Sequence, residues 1–313
     1  MLFHKYICHQ LFYMKVLSPV TGIDNTTLEM NISTQTIIEK YKALGISVSR
    51  FFLNMQNIEL RKCNATGYRF YYPETIFGDD KFYEELQKTF NDYYVNARWE
   101  HITALNLIKK DDRVLEVGSG SGFFLKQLKN AGINATGLEL NSHAVKEGQS
   151  KGLNIINQLL DEHVKENNGK YDVVCSYQVL EHIYDVRGYF ENALRALKPG
   201  GKIIIGVPNN NPFIFKHDIY HTLNLPPHHA GLWNKQTFQN IGDHFPLQLE
   251  STFIEPLSEL KQWYQVQVQH HQEHNRFLGS LLAIIPRPFY KMFLKLFSNK
   301  IEGRNIIAVF KKL

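Results

Sequence analysis

Residues 114–122 read VLEVGSGSG, and this stretch decides the fold. An apolar strand runs into a glycine-rich turn, which is followed by a helical pattern over 123–128 and by a second strand, TGLEL, at 136–140. Glycines let a backbone pass close to a ligand where a Cβ atom would clash, and Glu139 ends the second strand where ribose hydroxyls would lie. The pattern predicts the opening βαβ unit of a doubly wound, Rossmann-like α/β sheet.

Two kinds of nucleotide ligand are compatible with a turn of this type. A dinucleotide site favours the spacing G-x-G-x-x-G, which rests a pyrophosphate on a helix N-terminus. Here Gly118, Gly120 and Gly122 alternate, and Glu116 stands two residues before the first of them. A buried carboxylate repels a pyrophosphate and favours a cationic group, such as the ammonium of an amino-acid moiety. A nicotinamide-dependent oxidoreductase stays open as the disfavoured alternative.

Four further motifs follow the turn in order along the chain. They read YDVVCSY at 171–177, QVLEHI at 178–183, LKPGG at 197–201 and KIIIGV at 202–207. With the glycine turn, they resemble the motifs of the class I S-adenosylmethionine-dependent methyltransferases over roughly residues 90–255. The resemblance implies a sheet with strand order 3-2-1-4-5-7-6 and S-adenosylmethionine as the cofactor.

The resemblance also implies which residues bind the cofactor. They lie in the glycine turn, at strand ends and before the first strand: Glu116, Gly118, Gly120, Gly122, Glu139, Leu140, Gln158, Leu159, Gln178, Tyr94 and Trp99. Many relatives carry an Asp where this chain has Gln158 and Leu159, which leaves the contact to the adenine less defined. Tyr94 and Trp99, in a helical region over 81–109, are the aromatic residues for the methionine end, with plain core packing as the alternative.

Methyl transfer from a sulfonium is an in-line displacement, so the protein must align donor and acceptor and remove a proton from a hydroxyl acceptor. Two segments after strands four and five carry imidazoles for this task, Glu181-His182 and the loop LPPHHAGLW at 225–233. His229 is the first candidate for the general base, followed by His228 and His182. Because neighbouring residues of an extended loop point in opposite directions, one of the adjacent pair is expected to face away. For Glu181-His182, a structural role in bracing the loop is as well supported as a catalytic role.

The N-terminal region is predicted to be a β-hairpin module over residues 1–79, ahead of a methyltransferase domain over 80–313. The hairpin turns at residues 64–67. Its outline is similar to a zinc ribbon, but Cys63 is the one residue at a ligand-type position, and Thr66 takes the place of its partner. Tetrahedral zinc requires four Cys or His ligands, so no metal is expected.

A helical insertion over 259–303 is predicted between the last two strands, because the segment is too long for a hairpin loop. We favour an amphipathic lid over the pocket or a dimer interface. Peripheral membrane contact through the apolar, basic stretch 277–297, or cover for a lipid-linked substrate, is the alternative. His270, His271 and His274 have zinc-compatible spacing, but a solvated helical face is the preferred interpretation.

The overall composition is that of an ordinary globular chain, with 313 residues, 43% hydrophobic residues and a net charge of +5. No nucleic-acid-binding motif accompanies this modest charge, so nucleic acid is not an expected partner. Three scattered cysteines argue against a disulfide framework, and the N-terminus has no uninterrupted apolar signal segment. A cytoplasmic location is therefore expected.

The sequence as a whole predicts a methyltransferase that acts on a small-molecule, glycan-linked or lipid-linked acceptor. The first choice of acceptor group is a hydroxyl of a sugar, glycan or natural-product scaffold, by analogy with pathways of that kind. Methylation of carbon or nitrogen and a lipid or quinone acceptor remain open. A non-catalytic protein that only binds the cofactor is a further alternative.

Overall fold

The computed structural model describes residues 15–90 and 98–313. Its strands are β1 (Thr26–Ser33), β2 (Asn57–Cys63), β3 (Arg69–Tyr72), β4 (Arg113–Val117), β5 (Asn134–Leu138), β6 (Ile155–Ile156), β7 (Tyr171–Tyr177), β8 (Leu197–Pro208), β9 (Gly231–Leu232), β10 (Leu247–Pro256) and β11 (Glu302–Lys312). Its α-helices are α1 (Thr34–Lys42), α2 (Asp80–Thr89), α3 (Trp99–Leu105), α4 (Phe123–Asn130), α5 (Ser142–Ser150), α6 (Leu160–Glu166), α7 (Val186–Ala196), α8 (Phe213–His217), α9 (Lys235–Ile241), α10 (Leu260–His274), α11 (Arg276–Ile284) and α12 (Arg287–Phe297).

Seven strands form the central sheet, in the order β10-β11-β8-β7-β4-β5-β6. Strands β4 to β8 pair in parallel, whereas β11 runs antiparallel to both β8 and β10. Counted along the chain within this sheet, the order is 3-2-1-4-5-7-6, as predicted. The Rossmann-like α/β architecture expected from the glycine turn is therefore confirmed.

Apolar side chains of β4 alternate between two cores, one on each face of the central sheet. Leu115 packs into a cluster with Phe190 of α7 and Phe238 of α9, while Val114 packs into a second cluster with Phe124 of α4. Successive side chains of a strand point to opposite faces, so a strand that is apolar throughout must be covered on both. This cover leaves the carboxyl ends of the parallel strands as the open edge.

A second, smaller sheet has the order β1-β2-β3-β9. The predicted hairpin is present in it as the antiparallel pair β2 and β3. Its last strand comes from the loop after β8, where Gly231 pairs with Phe70, and the backbone N–H of Tyr71 donates to the carbonyl of Ala230 at 3.0 Å. Residues of the N-terminal 79 thus hold the loop that contains His228 and His229, and the division at residue 79 stays a prediction.

Cys63 occupies the position at which the resemblance to a zinc ribbon places a metal ligand, and it is buried. The side chains beside it carry hydroxyl groups. Burial raises the pKa of the Cys63 thiol, but hydrogen bonds from Ser18 and Thr66 outweigh it, so that the net change lowers the pKa. Ser18 and Thr66 are themselves buried.

The insertion between the last two strands is helical, with α10, α11 and α12 joining β10 to β11. Trp263, Tyr290 and Leu294 pack with Ile214 of α8 into a separate small apolar cluster. Among the described residues, no single helix has the length and apolarity to cross a membrane, although α11 and the segment 287–300, bent by 100°, pass such a test together.

Candidate active site

The turn between β4 and α4 adopts a backbone that glycine accepts readily and other residues do not. Gly118, Gly120 and Gly122 have φ angles of 72°, 53° and 82°, all in the left-handed region. A Cβ atom at Gly118 would lie 2.4 Å from Cγ2 of Val179, and one at Gly122 would lie 2.5 Å from Cδ1 of Leu153. The alternating glycines therefore fit both the dihedral angles and the close packing of the turn.

Glu139, just after β5, fixes the turn from the neighbouring strand. Its Oε2 accepts a hydrogen bond from the backbone N–H of Gly120 at 2.8 Å, and its Oε1 accepts one from the N–H of Asn141 at 2.8 Å. The side chain is only part-buried. A carboxylate held in this way retains lone pairs for the hydroxyls of a ligand.

A cavity of about 1130 Å³ opens at this edge of the central sheet. Every predicted site residue in the described part of the chain except Trp99 lines it, namely Glu116, Gly118, Gly120, Gly122, Glu139, Leu140, Gln158, Leu159, Gln178, His182, His228 and His229. The carboxyl ends of parallel strands are where such folds bind ligands. The structure thus brings the predicted cofactor residues and the predicted catalytic residues to one cavity, and their individual roles stay predictions.

Trp99, predicted to touch the cofactor, does not line the cavity, and its role stays a prediction. Trp99 begins α3 and packs against the apolar cluster that includes Ala104 and Phe124. Core packing, the alternative interpretation of Trp99, is therefore present, because the apolar face of α3 packs toward the sheet. Tyr94, the other aromatic candidate, lies outside the described residues.

Glu116 is buried at the end of β4, below the glycine turn. Burial raises the pKa of its carboxyl well above the usual value, and the charge of Glu139 adds to the increase. Its Oε2 has no hydrogen-bond partner among the described residues. A buried acceptor that lacks a partner is costly, and the ammonium of an amino-acid moiety would satisfy it.

Gln178 follows β7 with a φ of 56°, a left-handed conformation that is unusual for a residue with a side chain. Its Nε2 donates to Oε1 of Glu100 at 2.7 Å and to Oδ1 of Asn305 at 3.2 Å. Backbone strain of this kind persists where the surrounding structure holds it, and it concentrates at functional sites. Gln178 thus lines the cavity with its amide nitrogen already engaged by two side chains that the sequence analysis missed.

Gln158 and Leu159, predicted near the adenine, lie on the cavity wall before α6. Oε1 of Gln158 is 3.0 Å from Nδ1 of His163, whose Nε2 is 2.8 Å from the hydroxyl of Tyr171. This leaves the amide N–H groups of Gln158 as the donors it offers to a ligand. The exposed Leu159 supplies an apolar surface beside them.

The adjacent histidines of the loop after β8 both line the cavity, so the expectation that one faces away is wrong. The loop is not extended at this point, because the N–H groups of His228 and His229 both donate to the carbonyl of Leu225, at 3.1 and 3.4 Å. In the resulting turn the two imidazoles stack, with ring centroids 4.6 Å apart and an interplanar angle of 22°. Alternation of side chains holds only in extended backbone.

Glu181 and His182 form a short 3₁₀ turn after β7 that braces the same loop. Nδ1 of His182 is 2.7 Å from the carbonyl oxygen of His228, and the carbonyl of Glu181 accepts from the N–H of Ala230 at 2.7 Å. The ring centroid of His182 lies 4.7 Å from that of His228 and 5.1 Å from that of His229. Glu181 and His182 therefore brace the loop. The same contacts bring His182, His228 and His229 together, and we call these three residues the histidine cluster.

Burial keeps the histidine cluster uncharged. It lowers the pKa of His182 to about 4 and that of His228 to about 3, and it lowers the pKa of His229 well below its usual value. Burial also raises the pKa of Glu181 to about 8. At neutral pH the imidazoles therefore present nitrogen lone pairs to their surroundings.

Comparison with known proteins settles the family. The family described as a methyltransferase domain matches residues 92–280, more than half of the chain. This protein belongs to that family. Its glycine turn, terminal acid and strand order are those implied by the class I S-adenosylmethionine-dependent members, and S-adenosylmethionine is the cofactor.

The methyltransferase is similar in sequence to proteins named ubiquinone biosynthesis O-methyltransferase. It is 33% identical to the one from Cronobacter sakazakii over 107 residues, 32% of this chain and 43% of the relative. It is 29% identical to the one from Bordetella avium over 175 residues, 54% of this chain and 68% of the relative. The chain thus spans less than half the length of the first relative and about two thirds of the second.

Among solved structures, the methyltransferase is similar to a SAM dependent methyltransferase from Archaeoglobus fulgidus. The TM-score is 0.48 at 20% identity, and the match covers 74% of this chain and 100% of that one.

Tyr83 of α2 is a residue of this site that the sequence analysis placed only in a helical pattern. It lines the cavity, its ring centroid lies 5.7 Å from that of His182, and its hydroxyl donates to the carbonyl of His228 at 3.4 Å. No local signal separates it from its neighbour Phe82, which is fully buried. Only the packing of α2 against the histidine loop identifies it.

His217 of α8 and the histidines of the insertion do not line the cavity. His217 and His270 have ring centroids 3.8 Å apart, and His270 and His274 have centroids 4.3 Å apart, near the start of the insertion. His274 is exposed. Within residues 15–90 and 98–313, one group of three or more potential metal ligands comes together, and it is the histidine cluster.

The role of the helical insertion as a dimer interface or as a lid over this cavity stays a prediction. No residue of 259–303 lines it in the described part of the chain, because α10 to α12 pack beside α8 around Trp263. The amphipathic pattern indicated a buried face correctly, but a pattern does not say which surface buries it.

Proposed function

We propose that this methyltransferase transfers the methyl group of S-adenosylmethionine to a hydroxyl oxygen on a small phenolic acceptor of the quinone-precursor type. The observation that carries the proposal is the single cavity in which the glycine turn, Glu139 and the histidine cluster all meet. A cofactor held on the turn would present its methyl group toward the cluster. A hydroxyl acceptor needs a polar group there that handles its proton.

The choice of a phenolic hydroxyl rests on the relatives and on the cavity wall. The relatives are named for ubiquinone biosynthesis and for O-methylation, which fits a lipid or quinone acceptor and not the sugar or glycan expected from the sequence. Tyr83, Phe123 and Tyr177 line the cavity with aromatic rings. Aromatic walls suit the face of a planar ring better than the hydroxyl-rich surface of a sugar.

In the proposed reaction the bond from sulfur to the methyl carbon breaks as the bond from the acceptor oxygen to that carbon forms. The sulfonium becomes a neutral thioether, and the hydroxyl proton leaves the oxygen. His229 remains the predicted acceptor of this proton, since its Nδ1 is buried on the cavity wall and has no hydrogen-bond partner among the described residues. His182 and His228 flank it.

A panel of acceptors tests this proposal. We expect purified protein to transfer labelled methyl from S-adenosylmethionine to a catechol that bears a polyprenyl chain at least about tenfold faster than to a sugar of similar size. That ratio corresponds to about 1.4 kcal/mol of transition-state discrimination. Faster methylation of the sugar, or of an amine analogue of the catechol, would contradict the proposed acceptor.

We also propose that α11 and α12 rest on an anionic membrane surface, which would bring the enzyme to a lipophilic acceptor. Nine large apolar side chains of these two helices are exposed: Phe277, Leu278, Leu281, Ile284, Phe289, Met292, Phe293, Leu296 and Phe297. Ile284 is 78% exposed and Leu296 is 74% exposed. So many exposed apolar side chains within two successive helices indicate an interaction site.

The charge of the same segment favours lipid as the occupant. Residues 276–300 contain five basic residues and no Asp or Glu: Arg276, Arg287, Lys291, Lys295 and Lys300. Apolar side chains interleaved with cations are typical of helices that lie in the headgroup region of anionic bilayers. A dimer interface, the other interpretation of this surface, gains nothing from five like charges on each copy.

Vesicle binding tests the membrane contact. We expect the protein to co-sediment with vesicles of phosphatidylglycerol and phosphatidylcholine, and Leu296→Glu to weaken that binding about tenfold, since it removes one buried apolar side chain and adds a repelled charge. Leu53→Glu is the matched control, because Leu53 is 69% exposed but lies near the small sheet. Equal binding of wild type and Leu296→Glu, or a stable dimer with no vesicle binding, would contradict the proposal.

A further inference from the structure

Three imidazoles from two separate segments converge on the cavity wall. His182 comes from the turn after β7, and His228 and His229 come from the loop after β8. One ligand atom of each lies within 4.8 Å of the others. His228 and His229 are buried, and His182 is partly buried. A single imidazole is enough to accept a proton, so the convergence of three requires another explanation.

Backbone carbonyls fix the orientation of two of these rings. Nδ1 of His182 is 2.7 Å from the carbonyl oxygen of His228, and Nδ1 of His228 is 2.8 Å from that of Leu223. A carbonyl oxygen can only accept, so each Nδ1 carries the hydrogen and each Nε2 is the lone-pair nitrogen. Histidines that bind metals are oriented in the same way, with the second ring nitrogen donating to a carbonyl or carboxylate.

We propose that His182, His228 and His229 together bind one Zn²⁺ ion at the cavity wall. Zinc takes imidazole nitrogens at about 2.0–2.1 Å, which places tetrahedral ligand atoms about 3.3 Å apart. Atoms that already lie within 4.8 Å of one another reach that spacing by small rotations of the side chains. Three protein ligands leave a fourth position, as is usual for catalytic zinc.

Glu181 places a carboxyl group beside the site, and a bound cation would favour its ionised form. Its Oε1 lies 3.8 Å from Nε2 of His182, and its Oε2 is buried without a hydrogen-bond partner among the described residues. Three neutral imidazoles do not compensate a divalent cation, whereas an adjacent buried carboxylate does so in part. The carboxylate thus adds a negatively charged group to a site whose three other members are neutral.

The inference rests on the proposed function for its purpose and changes one part of it. The fourth position of the ion would face the cavity that holds the cofactor, so the acceptor hydroxyl would bind there. A hydroxyl bound to zinc loses its proton to water more readily than a free one. In that case His229 would hold the ion, and the ion would favour the deprotonated form of the acceptor oxygen that attacks the methyl group.

Metal titration of the full chain tests this site without any acceptor. The protein is treated with a chelator, desalted, and titrated with Zn²⁺ by calorimetry and with Co²⁺ as a visible-absorption probe. We expect one ion per chain, with Co²⁺ bands of a tetrahedral site, and at least about tenfold weaker binding in His182→Ala, His228→Ala and His229→Ala. His274→Ala is the control, because His274 is an exposed histidine outside the cluster.

Binding of S-adenosylmethionine by each variant shows that its fold is intact, so a lost metal site is not mistaken for unfolding. No saturable binding of either metal, or equal affinity in wild type and all three cluster variants, would overturn the zinc site. Failure of the acceptor panel while Zn²⁺ still binds the cluster would instead overturn the proposed acceptor and leave the site standing.

Discussion

Replacing Glu139 by alanine is expected to weaken binding of S-adenosylmethionine about a hundredfold or more. The carboxylate lies after β5 where ribose hydroxyls are expected, and each hydrogen bond to a charged group contributes about 1.5–3 kcal/mol. Two such bonds together exceed the roughly 2.8 kcal/mol that a hundredfold change requires. The substitution also frees the N–H groups of Gly120 and Asn141, which loosens the glycine turn.

Calorimetric titration of the variant against wild type measures this loss. Glu139→Gln keeps the shape and one accepting oxygen but removes the charge, so we expect a smaller loss of about tenfold. Glu162→Ala is the control, since Glu162 is an exposed acid on α6 that does not line the cavity. Unchanged affinity of Glu139→Ala for S-adenosylmethionine would contradict the assignment of the cofactor site.

Replacing His229 by alanine is expected to lower kcat at least about a hundredfold while changing the affinity for S-adenosylmethionine less than about twofold. General base catalysis contributes about 10²–10⁴ to rates, and loss of a ligand from a catalytic metal has a comparable effect. The residues predicted to bind the cofactor belong to the glycine turn and the end of β5, which are separate elements from the loop after β8. Single-turnover rates and calorimetry on the same preparation separate the two effects.

His274→Ala again serves as the matched control for His229→Ala, because it removes an exposed imidazole from the insertion. We expect it to keep the turnover of the wild type. A loss of cofactor affinity in His229→Ala as large as its loss of turnover would mean that the loop shapes the cofactor pocket and not the acceptor site.

The central sheet was predictable from the sequence because its signals are local. The segment 114–122 combines an apolar strand with glycines that need left-handed backbone, and such a turn has few alternatives. Glu139 was identified for the same reason, since a strand end fixes its place relative to the turn. The strand order was an implication of the resemblance to the family.

The sequence predicted the members of the histidine cluster but not that they lie together. His182 was found from its place after β7, and His228 and His229 from their loop, but nothing in the sequence brings the two segments together. The hydrogen bonds from the loop to Leu225 and Glu181, and the pairing of β9 with β3, set that approach. Contacts between residues far apart in sequence have no local signature.

Tyr83 and Trp99 show that helical spacing alone does not predict what an aromatic side chain contacts. Both are aromatic residues at helical spacing before the first strand of the central sheet, yet Tyr83 lines the cavity and Trp99 packs in the core. The helical period shows which residues share a face but not what that face contacts. The same limit applies to the amphipathic insertion, because its pattern does not identify the surface that its apolar face covers.

Calorimetric titration of the wild-type protein with S-adenosylmethionine, S-adenosylhomocysteine and NADH tests the central claim most directly. The alternating glycines, the buried Glu116 and the acid at Glu139 predict saturable binding of both sulfur compounds at one site per chain, and no binding of NADH. Binding of NADH, or of neither sulfur compound, would contradict the account of this cavity as the site of a methyl donor.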